Sequence, residues 1–166
     1  MDFIKTDVYS TEFNPFKLFD KDWFLLTSGN KNNYNTMTAS WGQMGILWGK
    51  PVFTAFVRTS RKTFEFMEKN EYFTASFFDK AYRSALNFCG SHSGRDYDKA
   101  KETGLSPVEI DGTVTFEQAE SVFVCRKIYE NDMTKKDFLD KSLLSFYDKD
   151  PFHKIFIGEI TALYKK

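Results

Sequence analysis

Apolar and polar positions alternate with a period of two along most of this chain. That alternation predicts strands at residues 23–28, 35–41, 45–48, 52–57, 72–78, 121–129 and 154–164. In 121–129, Val122, Val124, Arg126 and Ile128 share one face, and Phe123, Cys125, Lys127 and Tyr129 share the other. Both faces carry apolar side chains, as expected of a strand with a barrel core on one side and a helix or partner subunit on the other. The last run has the same character: Ile155, Ile157, Thr161 and Leu163 alternate against Phe156, Gly158, Ile160, Ala162 and Tyr164, with Gly158 marking a bulge or bend. The expected architecture is mainly β, a sheet closed enough to dispose of its edges, with a few peripheral helices.

Three short helices interrupt the alternation. Thr63 is expected to cap 64–68, where Phe64 and Met67 share a face, and 84–88 is the second. The third covers 97–102, capped by Asp96 and stopped by Gly104. Asp111-Gly112 predicts a turn before a short strand at 113–116, and the polar, charge-alternating run 132–141 predicts a surface connection. With no repeat, linker or low-complexity tract, residues 1–166 are expected to form one domain.

Composition narrows the function classes. The chain is 42% hydrophobic with 19 Phe, enough for a Phe-packed core. Its 23 basic and 23 acidic residues cancel, so no global field draws it to nucleic acid or an anionic membrane, and any anion site must be local. Apolar runs such as 23–26 fall far short of the roughly 18 residues that span a bilayer. Residues 1–6 carry no export pattern, and Cys89 and Cys125 predict reduced thiols rather than a disulfide framework, so a cytoplasmic location is expected. His92 and His153, the two histidines, are too isolated to predict a metal site.

Three segments carry candidate chemistry. In Asn35-Thr36-Met37-Thr38-Ala39-Ser40-Trp41-Gly42, a strand sets Thr36, Thr38 and Ser40 on one face and Met37, Ala39 and Trp41 on the other. Such a hydroxyl ladder beside an indole suits the edge of a flat heterocycle, and it equally suits a Thr-rich edge strand with a core Trp. Arg58-Thr59-Ser60-Arg61-Lys62-Thr63 lies between strand and helix, where N–H donors, the helix dipole and guanidinium forks can seat a phosphate. A plain capped helix start is the other reading of that window. The third segment, 87–99, contains Gly90, Ser91, His92, Ser93, Gly94, Arg95 and Lys99. It reads as a loop able to approach a ligand closely or as a Ser/Gly turn between helices.

In order and separation these three segments resemble those of the flavin reductase-like, flavoredoxin-type FMN-binding split barrels. The resemblance runs from about Trp23 to the final strand. It implies a Greek-key split barrel, a homodimer, and FMN in a groove at or near the subunit interface. By the same resemblance, Thr36, Met37, Thr38, Ala39, Ser40 and Trp41 line the isoalloxazine edge, largely through backbone groups. Arg58, Ser60, Arg61 and Thr63 hold the phosphate and ribityl end, and Ser93, Gly94, Arg95 and Lys99 complete the pocket. The implied activity is that of an FMN-binding oxidoreductase, a flavin reductase or flavoredoxin-like electron-transfer protein with NAD(P)H as donor. The chain has no dinucleotide glycine fingerprint, so NAD(P)H is expected only transiently, over the flavin. The flavin carries the redox chemistry, and no catalytic side chain is singled out. Two other readings stand beside this one: a non-catalytic FMN carrier, store or sensor, and a split barrel handling a pyridoxal-type phosphate or haem.

Overall fold

The computed structural model describes residues 2–166. Its strands are β1 (Ile4–Thr6), β2 (Phe24–Asn30), β3 (Asn33–Ala39), β4 (Gly42–Leu47), β5 (Lys50–Arg58), β6 (Tyr72–Phe77), β7 (Pro107–Ile110), β8 (Thr113–Phe116), β9 (Ser121–Asp132) and β10 (His153–Lys165). The helices are α1 (Pro15–Lys17), which runs into a π-helical turn at Leu18–Asp22, then α2 (Lys62–Lys69), α3 (Arg83–Ser91) and α4 (Lys99–Thr103).

An antiparallel sheet runs in the order β3-β2-β6-β9-β10-β5-β4, with β1 added to β10, while β7 and β8 form a separate hairpin. The two ends of that path, β3 and β4, are consecutive in the chain and separated only by Ser40 and Trp41. Three residue steps span at most about 10–11 Å, so the sheet must curl until its ends meet at this corner. Yet β3 pairs only with β2 and β4 only with β5. The result is the Greek-key split barrel expected from the sequence: closed in shape, open in hydrogen bonding at one seam.

Two apolar layers hold it together. Phe24, Leu26, Phe53, Phe73, Phe123 and Phe156 fill the barrel interior. Leu25, Leu86, Cys89, Phe116, Val122 and Val124 form a second layer outside it, under α3 and the β7–β8 hairpin. The two-faced pattern of β9 is thereby explained, since Phe123 and Cys125 point inward and Val122 and Val124 outward. In β10 the expected alternation fails at its end. A register shift against β9 between Ile160 and Ala162 leaves Thr161 as the extra residue, so Leu163 joins Phe156 and Ile160 inside while Ala162 moves to the outer layer.

Other boundaries also differ from expectation. Residues 40–41 lie outside the strand, whose last residue is Ala39, and β4 begins at Gly42 rather than 45. Arg61, not Thr63, holds the N-cap position of α2. Thr63 sits inside the helix, fully buried, where its hydroxyl accepts a 2.6 Å hydrogen bond from Asn35. Asp98 rather than Asp96 caps α4, accepting from the Lys101 N–H at 3.2 Å, and Gly104 (φ +70°) ends it as expected. Strands β1 and β7 and residues Pro15–Asp22 escaped the periodic pattern because each is too short to show a period.

Gly158 lies at the other β9–β10 register shift, as its composition signal suggested. A Cβ there would sit 2.7 Å from Phe73 Cε1 and 2.8 Å from Cys125 Cβ, and neither of these packed groups can swing aside. Gly158→Ala is expected to cost about 1–3 kcal/mol by overpacking. Urea denaturation tests this, and an unchanged midpoint would show that the neighbouring strands can spread.

Candidate functional site

The seam between β3 and β4 becomes a groove. Because β3 ends the sheet, one edge of its backbone has no strand partner, although the Thr36 carbonyl is taken by Lys99 Nζ and Asn35 Nδ2. At the near end, α2 and the 91–95 loop enclose a polar basin of about 370 Å³ lined by Ser60, Arg61, Lys62, Ser93, Arg95 and Lys99. Met37 and Arg61 connect this basin to a narrow trough of about 150 Å³ along the end of β3, walled also by Phe56, Arg58 and His153. Through Ser40, Trp41, Phe56 and His153 the trough opens into a much larger apolar cleft of about 980 Å³. A cationic basin, an unpartnered strand edge and an apolar cleft therefore adjoin in that order.

A family model for the flavin reductase like domain matches residues 17–166. The chain belongs to the flavin reductase-like family. Among solved structures, the FMN-binding domain of a flavin reductases-like enzyme from Shewanella baltica OS155 superposes with a TM-score of 0.70 at 18% identity, covering 99% of this chain and 77% of that one. Flavoredoxin from Methanosarcina acetivorans gives 0.70 at 20% identity over 87% and 68%. An FMN-binding protein from Thermus thermophilus with bound p-hydroxybenzaldehyde gives 0.68 at 19% identity over 97% and 81%. At these identities the likeness is one of fold. No match to the chain was found among curated protein sequences.

Within this flavin reductase-like fold, the three sequence segments do converge. Met37, Thr38, Ala39, Ser40, Trp41, Arg58 and Arg61 line the trough, and Ser60, Thr63, Ser93, Gly94, Arg95 and Lys99 line the basin. The hydroxyl ladder of β3 is not free, however. Thr36 shares a 2.8 Å hydrogen bond with buried Thr27, and Thr38 donates to the Leu86 carbonyl. Thr36 meets neither the trough nor the basin with its side chain, and its carbonyl accepts from Lys99 Nζ at 2.9 Å. What β3 offers the groove is backbone, plus Ser40 and Trp41 at its end.

The cations of the basin are pre-positioned by backbone carbonyls. Arg61 donates to Gly90 O at 3.0 Å, Lys62 to Gly94 O at 2.9 Å, and Lys99 to Cys89 O at 2.7 Å. Arg95 donates to Ser60 O at 3.0 Å and pairs with Glu65 at 2.5 Å. Lys99 is buried, which lowers its pKa to about 8; Cys89 opposes that shift, and the positive charges of Arg61 and Lys62 reinforce it. A lysine held partly against its own charge is stabilised by an arriving anion. Burial pushes the Cys89 thiol up to about 11, so it is no thiolate.

Arg58 faces the other way. Its guanidinium donates to Phe146 O at 3.1 Å and Pro151 O at 3.2 Å, lies 3.8 Å from the Asp150 carboxylate, and sits 5.2 Å from the Tyr147 ring centroid. It ties the 146–151 segment to the end of β5.

Sequence reasoning missed Lys62, whose contacts show only once the loop is folded against α2. It also missed the walls of the apolar cleft, from 14–21 and 138–147, which carry no periodicity. In the sequence His153 is one of two separated histidines with no signal to set it beside the groove. In the fold its ring is buried, lies 5.3 Å from the Trp41 ring centroid, and shares a 2.9 Å hydrogen bond with the Tyr147 hydroxyl through Nδ1. Burial lowers its pKa from 6.5 to about 4, Arg58 and Arg61 add to the shift, and Asp150 opposes it. The unfolded chain therefore takes up a proton near pH 6.5 that the folded chain refuses until about pH 4. Stability present above pH 6.5 is lost as pH falls toward 4. His153→Gln is expected to flatten that part of the stability profile, measured by urea denaturation at successive pH values; a profile parallel to the wild type would contradict the buried neutral ring.

Proposed function

We propose that this chain, as one flavin reductase-like domain, binds FMN in the groove and acts as an oxidoreductase with NAD(P)H as electron donor. The observation that carries the reading is the alignment of a cationic basin, an unpartnered strand edge and an apolar cleft. A phosphate, a heterocycle edge and a reacting ring need those three surfaces in that order. The donor set fits the group. Arg61, Lys62, Arg95 and Lys99, with the Ser60 and Ser93 hydroxyls, surround the basin, and a phosphate presents only acceptors to them. Gly94 fits as well: a Cβ there would lie 1.9 Å from Asn35 Oδ1, so only glycine lets the 93–95 backbone close down on the basin.

In this reading Arg61 and Lys99 hold the phosphate, the β3 backbone from Met37 to Trp41 meets the isoalloxazine edge, and Arg58 acts on the 146–151 segment instead. When bound, FMN supplies the two-electron chemistry, and the protein binds, orients and shields it. Ile46, Leu47 and Trp48 are exposed at the β4–β5 turn, with Trp48 5.8 Å from the Tyr129 ring, and an apolar tip of this kind supports a homodimer. Two buried free thiols, Cys89 and Cys125, accord with the cytoplasm. No helix among the described residues is long and apolar enough to cross a membrane.

The purified protein titrated with FMN is expected to give a perturbed two-band flavin spectrum and to accelerate NADH or NADPH oxidation over free FMN. Binding without acceleration would leave a flavin carrier, and no binding would end the proposal. Arg61→Ala is expected to weaken FMN binding by about 1.5–3 kcal/mol, the range for one charged hydrogen bond, and riboflavin binding much less. Equal losses would place Arg61 away from the phosphate.

Lys99 gives an independent check. An anion in the basin favours the charged amine and raises a pKa of about 8, so FMN binding near pH 8.5 is expected to take up a proton while riboflavin binding takes up less. Calorimetry in buffers of different ionisation enthalpy measures this directly.

A further inference from the structure

Of the lysine and arginine side chains that line the basin, Lys99 alone is buried. Its Nζ donates to Cys89 O at 2.7 Å and to Thr36 O at 2.9 Å, and among the described residues it has no third acceptor and no carboxylate partner. Two acceptors match the two N–H groups of a neutral amine and leave its lone pair free, whereas an ammonium holds a third N–H without a protein partner. The side chain forms part of the wall between the basin, about 370 Å³, and a second polar cavity of about 400 Å³ whose other walls include Asn33, Tyr34, Asp96 and Asp98. A solute in the basin therefore meets this side chain directly.

The surroundings favour the neutral amine as well. Burial lowers its pKa to about 8; Cys89 on α3 opposes that shift, and Arg61 and Lys62 at the start of α2 add to it. At pH 7.5 about a quarter of the Lys99 side chains are then neutral, against roughly one in a thousand for a lysine in water. Lys62 lines the same basin, but it is only half-buried and has a single carbonyl partner, Gly94 O.

We infer that Lys99 is a site of acylation by small acyl phosphates. Arg61, Lys62 and the Ser60 and Ser93 hydroxyls seat the phosphate, and the carbonyl carbon beside it meets the Lys99 amine. The lone pair of Nζ forms the new C–N bond, and the bond from the carbonyl carbon to the bridging oxygen breaks. Phosphate leaves with that electron pair and takes the proton from the nitrogen, so nothing is oxidised or reduced. The cations that seat the phosphate also stabilise the charge it gains on leaving. The amide product is uncharged, so the basin loses one cation. As a control over FMN binding this rests on the flavin reading above; as a modification site it does not.

The full chain is incubated with acetyl phosphate at pH 7.5, and acetylation of each lysine is followed by peptide mass spectrometry. Lys99 is expected to react at least about tenfold faster than Lys62 and than the exposed Lys31 and Lys69. Inorganic phosphate is expected to slow Lys99 and leave the exposed pair unchanged. Acetic anhydride, which carries no phosphate, is expected to show much less preference for Lys99. Between pH 7 and 9 the Lys99 rate is expected to keep rising, because a seated phosphate draws the pKa of the amine back up. Acetylated protein is expected to bind FMN more weakly than untreated protein, and Lys99→Arg, which keeps the charge, to show no such loss on the same treatment. The inference is overturned if Lys99 stays unmodified, if it reacts no faster than Lys62 or the exposed lysines, or if neither added phosphate nor the change to anhydride lowers its preference. Its control over FMN is overturned if acetylated protein binds FMN as untreated protein does. Selective acetylation of Lys99 in a chain that binds no FMN would sink the flavin reading and leave the modification site standing, and FMN binding with Lys99 unreactive would do the reverse.

Discussion

A sheet that curls until its two end strands meet, without those strands exchanging a hydrogen bond, leaves a line of backbone donors and acceptors at the barrel surface. The rest of the site depends on that seam between β3 and β4. Two residues, Ser40 and Trp41, are too few to let the strands separate, while the direction the chain takes at Gly42 delivers β4 to β5 rather than back to β3. An unpartnered edge normally invites association with another strand. Here α2, α3 and the 91–95 loop crowd it with side chains, so that it opens as a groove instead of a free edge.

The cations of the groove are held in place before any ligand arrives. Three cations of the basin, Arg61, Lys62 and Lys99, donate to main-chain carbonyls at Gly90, Gly94 and Cys89. Carbonyl dipoles satisfy the donors without neutralising the charge, so the basin keeps its attraction for an anion and its geometry is fixed in advance. A carboxylate partner would have cancelled that charge. Arg95, paired with Glu65, shows the contrast and lies at the outer rim.

Arginines three positions apart thus have different work. Arg61 points across the groove to the α3 end, whereas Arg58 turns along β5 to clasp the strap that walls the apolar cleft. One short strand-to-helix connection therefore organises both the polar and the apolar ends of the site. His153 and Trp41 stand where the two ends join.

The sequence by itself determined the β character, the two apolar faces of β9, the break at Gly158, and the three segments that meet at the groove. Each of these is a local signal, set by side-chain alternation, by glycine, or by hydroxyl and cationic groups close together in the chain. It also carried the family likeness, because the spacing of those segments survives as linear order. What only the tertiary structure decided were the roles that depend on a distant partner. Thr63 looks like a cap until Asn35, 28 residues away, claims its hydroxyl. Thr36 and Thr38 look like ligand donors until Thr27 and Leu86 engage them. Leu163 falls on the face opposite Phe156 and Ile160 until a bulge at Thr161 brings it to theirs. Arg58 looks like a free fork until the strap 88 and more residues downstream folds back and accepts two of its hydrogen bonds. A donor's use is fixed by the nearest acceptor in space, and folding sets that distance, which chain order does not record.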